Sequence, residues 1–203
     1  MRYRAFIIDP PWSFSDKLAK MKAPTKRSAA SQYDVMSVKD IAALDVASLA
    51  DPSGCVLALW VPGSFLGAGI EVANAWGFTV KQNYVWVKIK KLPGMVPPEK
   101  CLAFGMGRLF RQTHEMALIC TSGKTVYPFL ENHSQRSICF APNLGHSRKP
   151  PNLHDSFDTM FPGANKCELF ARQDHPGWLC AGCECPSTPG EDIVDSIKRL
   201  QSL

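Results

Sequence analysis

The sequence predicts an α/β domain. Three observations predict it. Short apolar runs rich in β-branched residues recur along the chain and read as buried strands. Amphipathic segments with helix caps lie between them. And Asp9-Pro10-Pro11-Trp12 directly follows the first apolar run, Ala5-Phe6-Ile7-Ile8. That places four unusual residues at the carboxyl end of a strand, where open α/β sheets carry their ligand sites.

The elements follow in order. Ser13 to Gln32 is polar and rich in Lys and Ser and reads as a loop. Ser37 to Leu49 starts with a capping pair, Ser37 and Asp40, and carries Ile41, Leu44, Val46 and Leu49 at helical spacing. Gly54 to Val61 is a continuous apolar run, hence a buried strand. Phe65 to Trp76 is a helix stopped by Gly77, and Phe78 to Val87 is a strand by its β-branched and aromatic content. Lys88 to Thr113 is long and irregular, with several Gly, Pro and basic residues. Glu115 to Cys120, Ile138 to Ala141 and Cys167 to Ala171 read as strands, with loop over Tyr127 to Ser137. Pro151 to Phe161 and Asp192 to Leu200 read as helices. Long loops in compact domains are usually functional or disordered, and both long ones here are basic.

Composition narrows the class. A chain of 203 residues, 45% apolar and 20% charged, fits one soluble globular domain over 1–203. No apolar run approaches the roughly 20 residues that span a bilayer. Met1-Arg2-Tyr3-Arg4 enters a strand at once, without the features of a signal peptide, so the expectation is a cytoplasmic protein with no membrane association. The eight cysteines are then expected as reduced thiols. The net charge of +5 is compatible with a polyanionic partner.

The Asp-Pro-Pro-Trp run suits chemistry at an exocyclic amino group. Adenine N6 is a poor nucleophile because its lone pair is delocalised into the ring. A carboxylate and a backbone carbonyl that accept its two N–H bonds would localise that pair. Prolines stiffen the turn and lack an N–H of their own. An indole face can stack on a planar base.

Further motifs lie in order along nearly the whole chain. They are Tyr33-Asp34-Val35-Met36-Ser37, Val85-Trp86-Val87-Lys88, Gly105 to Glu115 ending in His114-Glu115, His146-Ser147-Arg148-Lys149-Pro150, and Glu168-Leu169-Phe170-Ala171-Arg172 followed by Pro176-Gly177-Trp178. With the tetrapeptide they resemble the MT-A70 type of N6-adenine methyltransferase, in its bacterial and phage DNA-modifying branch. The resemblance implies S-adenosyl-L-methionine as cofactor and a Rossmann-like, mostly parallel sheet in permuted order, with the catalytic motif ahead of the cofactor-binding half. The permutation accounts for the lack of a Gly-x-Gly-x-x-Gly fingerprint after the first strand.

The resemblance also assigns roles. Asp9 and the Pro10 carbonyl would accept the N6 hydrogens, with Pro11 stiffening the turn and Trp12 in the base pocket. Lys149 would pair with the cofactor carboxylate, and the cofactor sulfonium would favour a nearby carboxylate such as Asp9. Phe170 and Arg172, with His175 or its neighbours Gln173 and Asp174, would line the cofactor site near the ribose. Glu168 divides evenly between a structural and a cofactor role. Cys183 and Glu184 stand where the family commonly has an amide and an acidic or amide residue that read the cofactor adenine. Cys183 is a weak donor and cannot copy a two-way amide bond. It keeps open a catalytically inactive, nucleic-acid-binding or partner-binding member as an alternative.

The target base must be single-stranded or flipped out. Lys17, Lys88, Arg108 and Arg111 in the two basic loops are candidates for phosphate contact, and His114 and Glu115 for the base or cofactor pocket. The leading expectation is a site-specific DNA adenine-N6 methyltransferase, with RNA methylation by the same chemistry as the alternative. A homodimer or a second subunit is compatible with the family. No metal is expected. The His114-Glu115 pair lacks a second spaced His, and Cys180, Cys183 and Cys185 would need His175 as a fourth zinc ligand.

Overall fold

The computed structural model describes residues 1–13, 35–90, 98–103, 105, 109–145 and 148–203, with backbone alone at 98 and 99. Among the described residues no helix is long and apolar enough to cross a membrane.

The first apolar run forms β1 (Ala5–Ile8), buried at all four positions. Successive strand residues point to opposite faces. Phe6 and Ile8 enter one core layer, while Ala5 and Ile7 enter the other. β2 (Cys55–Val61) divides in the same way, with Leu57, Leu59 and Val61 on one side and Val56, Ala58 and Trp60 on the other. Both strands are buried on both faces, which is why they read as continuous apolar runs.

The first layer is closed by three helices. These are α1 (Val38–Ala42) through Ile41, α2 (Leu66–Ala75) through Val72 and Ala73, and α5 (Ile193–Gln201) through Ile193, Ile197 and Leu200. The second layer is closed by α4 (Asn152–Met160) through Leu153 and Phe157. A four-residue helix, α3 (Pro98–Cys101), lies in the irregular stretch.

The remaining strands are β3 (Thr79–Ile89), β4 (His114–Ser122), β5 (Ile138–Pro142), β6 (Lys166–Leu169) and β7 (Trp178–Ala181). The seven strands form one sheet in the order β5-β3-β4-β2-β1-β6-β7. β1 is parallel to β2 and β6, β3 to β5, and β6 to β7. β4 is antiparallel to both its neighbours, β2 and β3. The expected mostly parallel α/β sheet is therefore present.

Two consequences of this order position the site. β1 is flanked by β2 and β6, reached by connections on opposite faces of the sheet. The crevice past its carboxyl end is thus a topological switch point. And because β4 runs backwards, its first residues, His114 and Glu115, lie at the edge where the parallel strands end.

Three expectations need correction. The helix foreseen over Ser37 to Leu49 stops at Ala42, and a separate 3-10 turn spans Ala47–Leu49. Asp45 accounts for the break: its carboxylate accepts the Ser48 N–H at 3.3 Å and starts the new turn. The expected Ser37 cap is present, its hydroxyl accepting from Asp40 N–H. The helix foreseen from Phe65 starts one residue later, after a 3-10 turn at Gly63–Phe65, and ends as expected before Gly77, which has φ of 76°. β7, in the thiol-rich segment, was not anticipated.

β6 and β7 approach closely just past their ends. Ala171 N–H donates to the Ala181 carbonyl at 3.0 Å, and a Cβ on Gly182 would lie 2.4 Å from the Ala171 carbonyl oxygen. That oxygen is backbone and cannot swing away. Gly182→Ala is therefore expected to destabilise the fold by about 2 kcal/mol or more, read as a lowered urea midpoint.

Candidate active site

Asp9 follows β1 and meets the loop after β5 across the crevice. Lys149 Nζ lies 2.7 Å from Asp9 Oδ2 and 3.3 Å from Glu115 Oε2. Lys88, near the end of β3, caps the other oxygen of Glu115 and sits over the Trp86 ring. The result is a chain of alternating charge, Asp9–Lys149–Glu115–Lys88. The Lys149, Asp9 and Glu115 side chains are 15%, 22% and 27% exposed. The network is thus poorly hydrated yet open to a ligand.

Burial raises the Asp9 carboxyl above the ordinary carboxylate range, against the pull of Lys149. Burial also works on Glu115, but the two lysines outweigh it and hold that carboxyl low. Lys149 loses solvation, and its two carboxylate partners more than restore its charge. One ammonium thus stabilises two carboxylates, of which Asp9 is the one nearer to protonation.

The Pro-Pro turn is tied down on both sides. The Pro10 carbonyl accepts the Trp12 N–H at 2.9 Å, and the Pro11 carbonyl accepts the Met36 N–H at 2.8 Å. A carbonyl has two lone pairs, so Pro10 keeps acceptor capacity. Trp12 departs from expectation. Its indole is 4% exposed, donates to the Trp60 carbonyl at 3.0 Å and packs against Phe65. It anchors the turn to β2 in the core and does not offer an open face for stacking on a base.

A cavity opens beside Asp9 on the α4 side of the sheet. Asp9, Lys149, Phe170, Arg172 and His175 all line it. The structure therefore brings these five expected residues together. Gln173, named as a competitor of His175, lines it too, and the structure adds Trp60, whose ring lies under Lys149, together with His154 and Arg148. Glu168, left between two roles, lines it as well. Phe170 has φ of 61°, unique among the described non-glycine residues. A bulky residue in the left-handed region costs about 1–3 kcal/mol and such strain clusters at ligand sites.

Other candidates lie elsewhere. Cys183 is exposed, and neither it nor Glu184 is among the residues lining the cavity. Glu184 reaches Arg172 at 3.7 Å. Lys88, expected as a phosphate contact, is paired with Glu115 and mostly buried. Arg111 and His114 are exposed next to the crevice edge. Lys17 and Arg108 fall outside the described residues, as do His146 and Ser147.

His154, Glu168 and His175 cluster closely enough to suggest a metal triad. Their ring geometry opposes it. The two imidazoles stack with centroids 3.7 Å apart and planes within 14°. Metal bonds lie in the ring plane, and parallel stacked rings cannot aim both lone pairs at one ion. The thiols of Cys180 and Cys185 are buried while Cys183 is exposed, and Cys185 donates to Asp174 at 3.2 Å. Burial pushes the Cys180 thiol up to about 12, which keeps it protonated and inert.

Comparison with known proteins adds a family. Residues 3–184 match the family described as MT-A70. A Type II methyltransferase, M.MunI, from a Mycoplasma species is 28% identical over 97% of this chain and 85% of its own length. An N(6)-adenine-specific methyltransferase, METTL4, from mouse is 28% identical over 90% of this chain but 37% of its own length. The human N(6)-adenosine-methyltransferase catalytic subunit METTL3 is 24% identical over 89% of this chain and 28% of its own length. The chain thus spans most of the bacterial relative and only about a third of these two eukaryotic ones.

Proposed function

The chain belongs to the MT-A70 family of methyltransferases, and on that premise we propose that it transfers a methyl group from S-adenosyl-L-methionine to N6 of adenine in DNA. The observation that carries this reading is the ionisable Asp9, set beside a proline carbonyl at the switch point of the sheet and opening onto a charged cavity. The near full-length match to a Type II methyltransferase favours DNA over RNA. RNA methylation is the second reading, favoured by the adenosine methyltransferases among the relatives.

The donor set fits the cofactor. It carries a carboxylate, a positive charge and two ribose hydroxyls. Lys149 has three N–H donors, of which two serve Asp9 and Glu115, so a third remains for a carboxylate. Asp9 suits the positive charge. Arg172, His175 and Glu168 line the same cavity and suit the hydroxyls. When bound, the cofactor supplies a methyl group on a sulfonium.

The protein supplies orientation and electrostatics. Asp9 accepts one N6 hydrogen and the Pro10 carbonyl the other, which turns the nitrogen lone pair out of conjugation and toward the methyl donor. Lys149 keeps Asp9 ionised for this task. After transfer the surplus N6 proton is acidic and leaves to solvent, so Asp9 need not hold it. The stiff Pro10-Pro11 turn, pinned by Trp12 and Met36, keeps both acceptors in place.

The test is tritiated methyl transfer to DNA and RNA of matched sequence, with Asp9→Ala alongside. Label on DNA that vanishes with Asp9→Ala supports the reading. Label on RNA alone replaces DNA by RNA as substrate. Full activity of Asp9→Ala removes the mechanism.

A further inference from the structure

The polar chain at the far wall of the cavity has a fixed direction. Arg148 Nη2 donates to Gln173 Oε1 at 3.0 Å, and Gln173 Nε2 lies 3.1 Å from His175 Nε2. Arginine only donates, so the Gln173 oxygen must face it and the amide nitrogen must face His175. An amide nitrogen also only donates. His175 Nε2 is therefore an acceptor, and the proton of this ring sits on Nδ1.

The same logic runs through the stacked ring. His154 Nε2 lies 3.0 Å from Glu168 Oε2 and donates to that carboxylate. Its Nδ1 is buried with no partner among the described residues. A bare lone pair there costs less than an orphaned N–H, so the Nε2 proton given to Glu168 is the one this ring needs. His175 Nε2 is 3.6 Å from Glu168, too far for a hydrogen bond.

We propose that Arg148 and Gln173 are positioning residues that hold His175 neutral with Nε2 as an acceptor, and that protonation of His175 breaks this relay and weakens binding in the cofactor cavity. The reason is a conflict of donors. A protonated His175 presents an N–H to the Gln173 amide N–H. Flipping Gln173 only moves the clash to Arg148. One of the two bonds must be lost, and the imidazolium is drawn to Glu168 instead, in competition with His154.

The groups facing His175 are His154, Asp155 and Asp158 from α4, Glu168 from β6, and Gln173 and Asp174 from its own loop. Burial and His154 lower its affinity for a proton, while Glu168, Asp158 and Asp155 oppose them and do not prevail. The folded state thus binds this proton less readily than the unfolded chain. The relay is therefore still intact at the ordinary imidazole value and is lost only as pH falls through the lower folded-state value.

This inference rests on the proposed cofactor site, and its test separates the two. The first measurement is nitrogen NMR of the imidazoles in the ligand-free protein at pH 7.5. The Nδ1–H tautomer of His175 is expected, and the Nε2–H tautomer would overturn the relay. The second is calorimetric binding of S-adenosylhomocysteine from pH 8 to pH 5. Affinity should be flat near pH 8 and fall by up to about tenfold per pH unit once His175 titrates. Gln173→Glu accepts from both Arg148 and an imidazolium, so its acid decline should be lost or moved to lower pH. Identical profiles for both proteins would overturn the proposal. No binding at any pH, with the tautomer as expected, would count against the methyltransferase reading and leave the relay standing.

Discussion

Asp9→Asn should lower methyl transfer by about a thousandfold while leaving the melting temperature unchanged or raised. The rate loss follows from removing an oriented acceptor whose charge builds its strength in the transition state, an effect of about 100- to 1,000-fold for one such group and up to about 10,000-fold where proton handling is included. The stability result follows from the sign of linkage. Burial holds the folded-state Asp9 carboxyl above its unfolded value. Such a group favours the fold while protonated and costs stability once pH rises through its folded pKa. At neutral pH the buried carboxylate is costly in itself, and Lys149 keeps Glu115 as a partner at 3.3 Å when asparagine replaces Asp9. A purely structural Asp9 would show the opposite: stability lost and activity lowered only in proportion. The wild-type rate should also fall on the acid side at a pH above the ordinary carboxylate value of about 3.9.

Lys149→Met should reverse that balance. Its ammonium is the shared partner of Asp9 at 2.7 Å and Glu115 at 3.3 Å. Without it two poorly hydrated carboxylates face each other, with Lys88 serving only Glu115. Removing one partner of a fully buried pair costs about 3–5 kcal/mol, and the residual exposure here reduces that to about 1–3 kcal/mol. The melting temperature should therefore drop. Loss of a neighbouring cation raises the Asp9 carboxyl further, so less of it is ionised at pH 7. The acid limb of the rate profile should move to higher pH, and cofactor binding should weaken at least tenfold as its carboxylate loses Lys149. Lys149→Arg keeps the charge but not the compact ammonium geometry and should restore the stability more fully than the rate. An unmoved acid limb in Lys149→Met would show that Lys149 does not set the state of Asp9.

Local sequence carried the parts of this account that depend on a few adjacent residues. β1 and β2 read as buried strands because both faces are covered, and Asp9 was placed at a strand end from that alone. Of the residues lining the cavity from the loops after β5 and β6, Lys149, Phe170 and Arg172 were legible as motifs, and His175 only as one of three polar candidates after Arg172. What escaped was tertiary. Glu115 reaches the crevice only because β4 is antiparallel, and no local pattern states a strand's direction. His154 sits between Leu153 and Phe157 on α4 and reads there as part of a core face. Trp12 read as a base platform, but its indole N–H is claimed by the Trp60 carbonyl on a strand distant in sequence. β7 is only four residues long and lies among thiols, too short for its period to register.

The proposed mechanism stands or falls on which atom receives the methyl group. The most direct measurement is mass spectrometry of nucleosides from DNA incubated with the protein and S-adenosyl-L-methionine. It predicts N6-methyldeoxyadenosine, absent when Asp9→Asn replaces the wild type. Methylated cytosine, or N6-methyldeoxyadenosine formed equally well by Asp9→Asn, would contradict it.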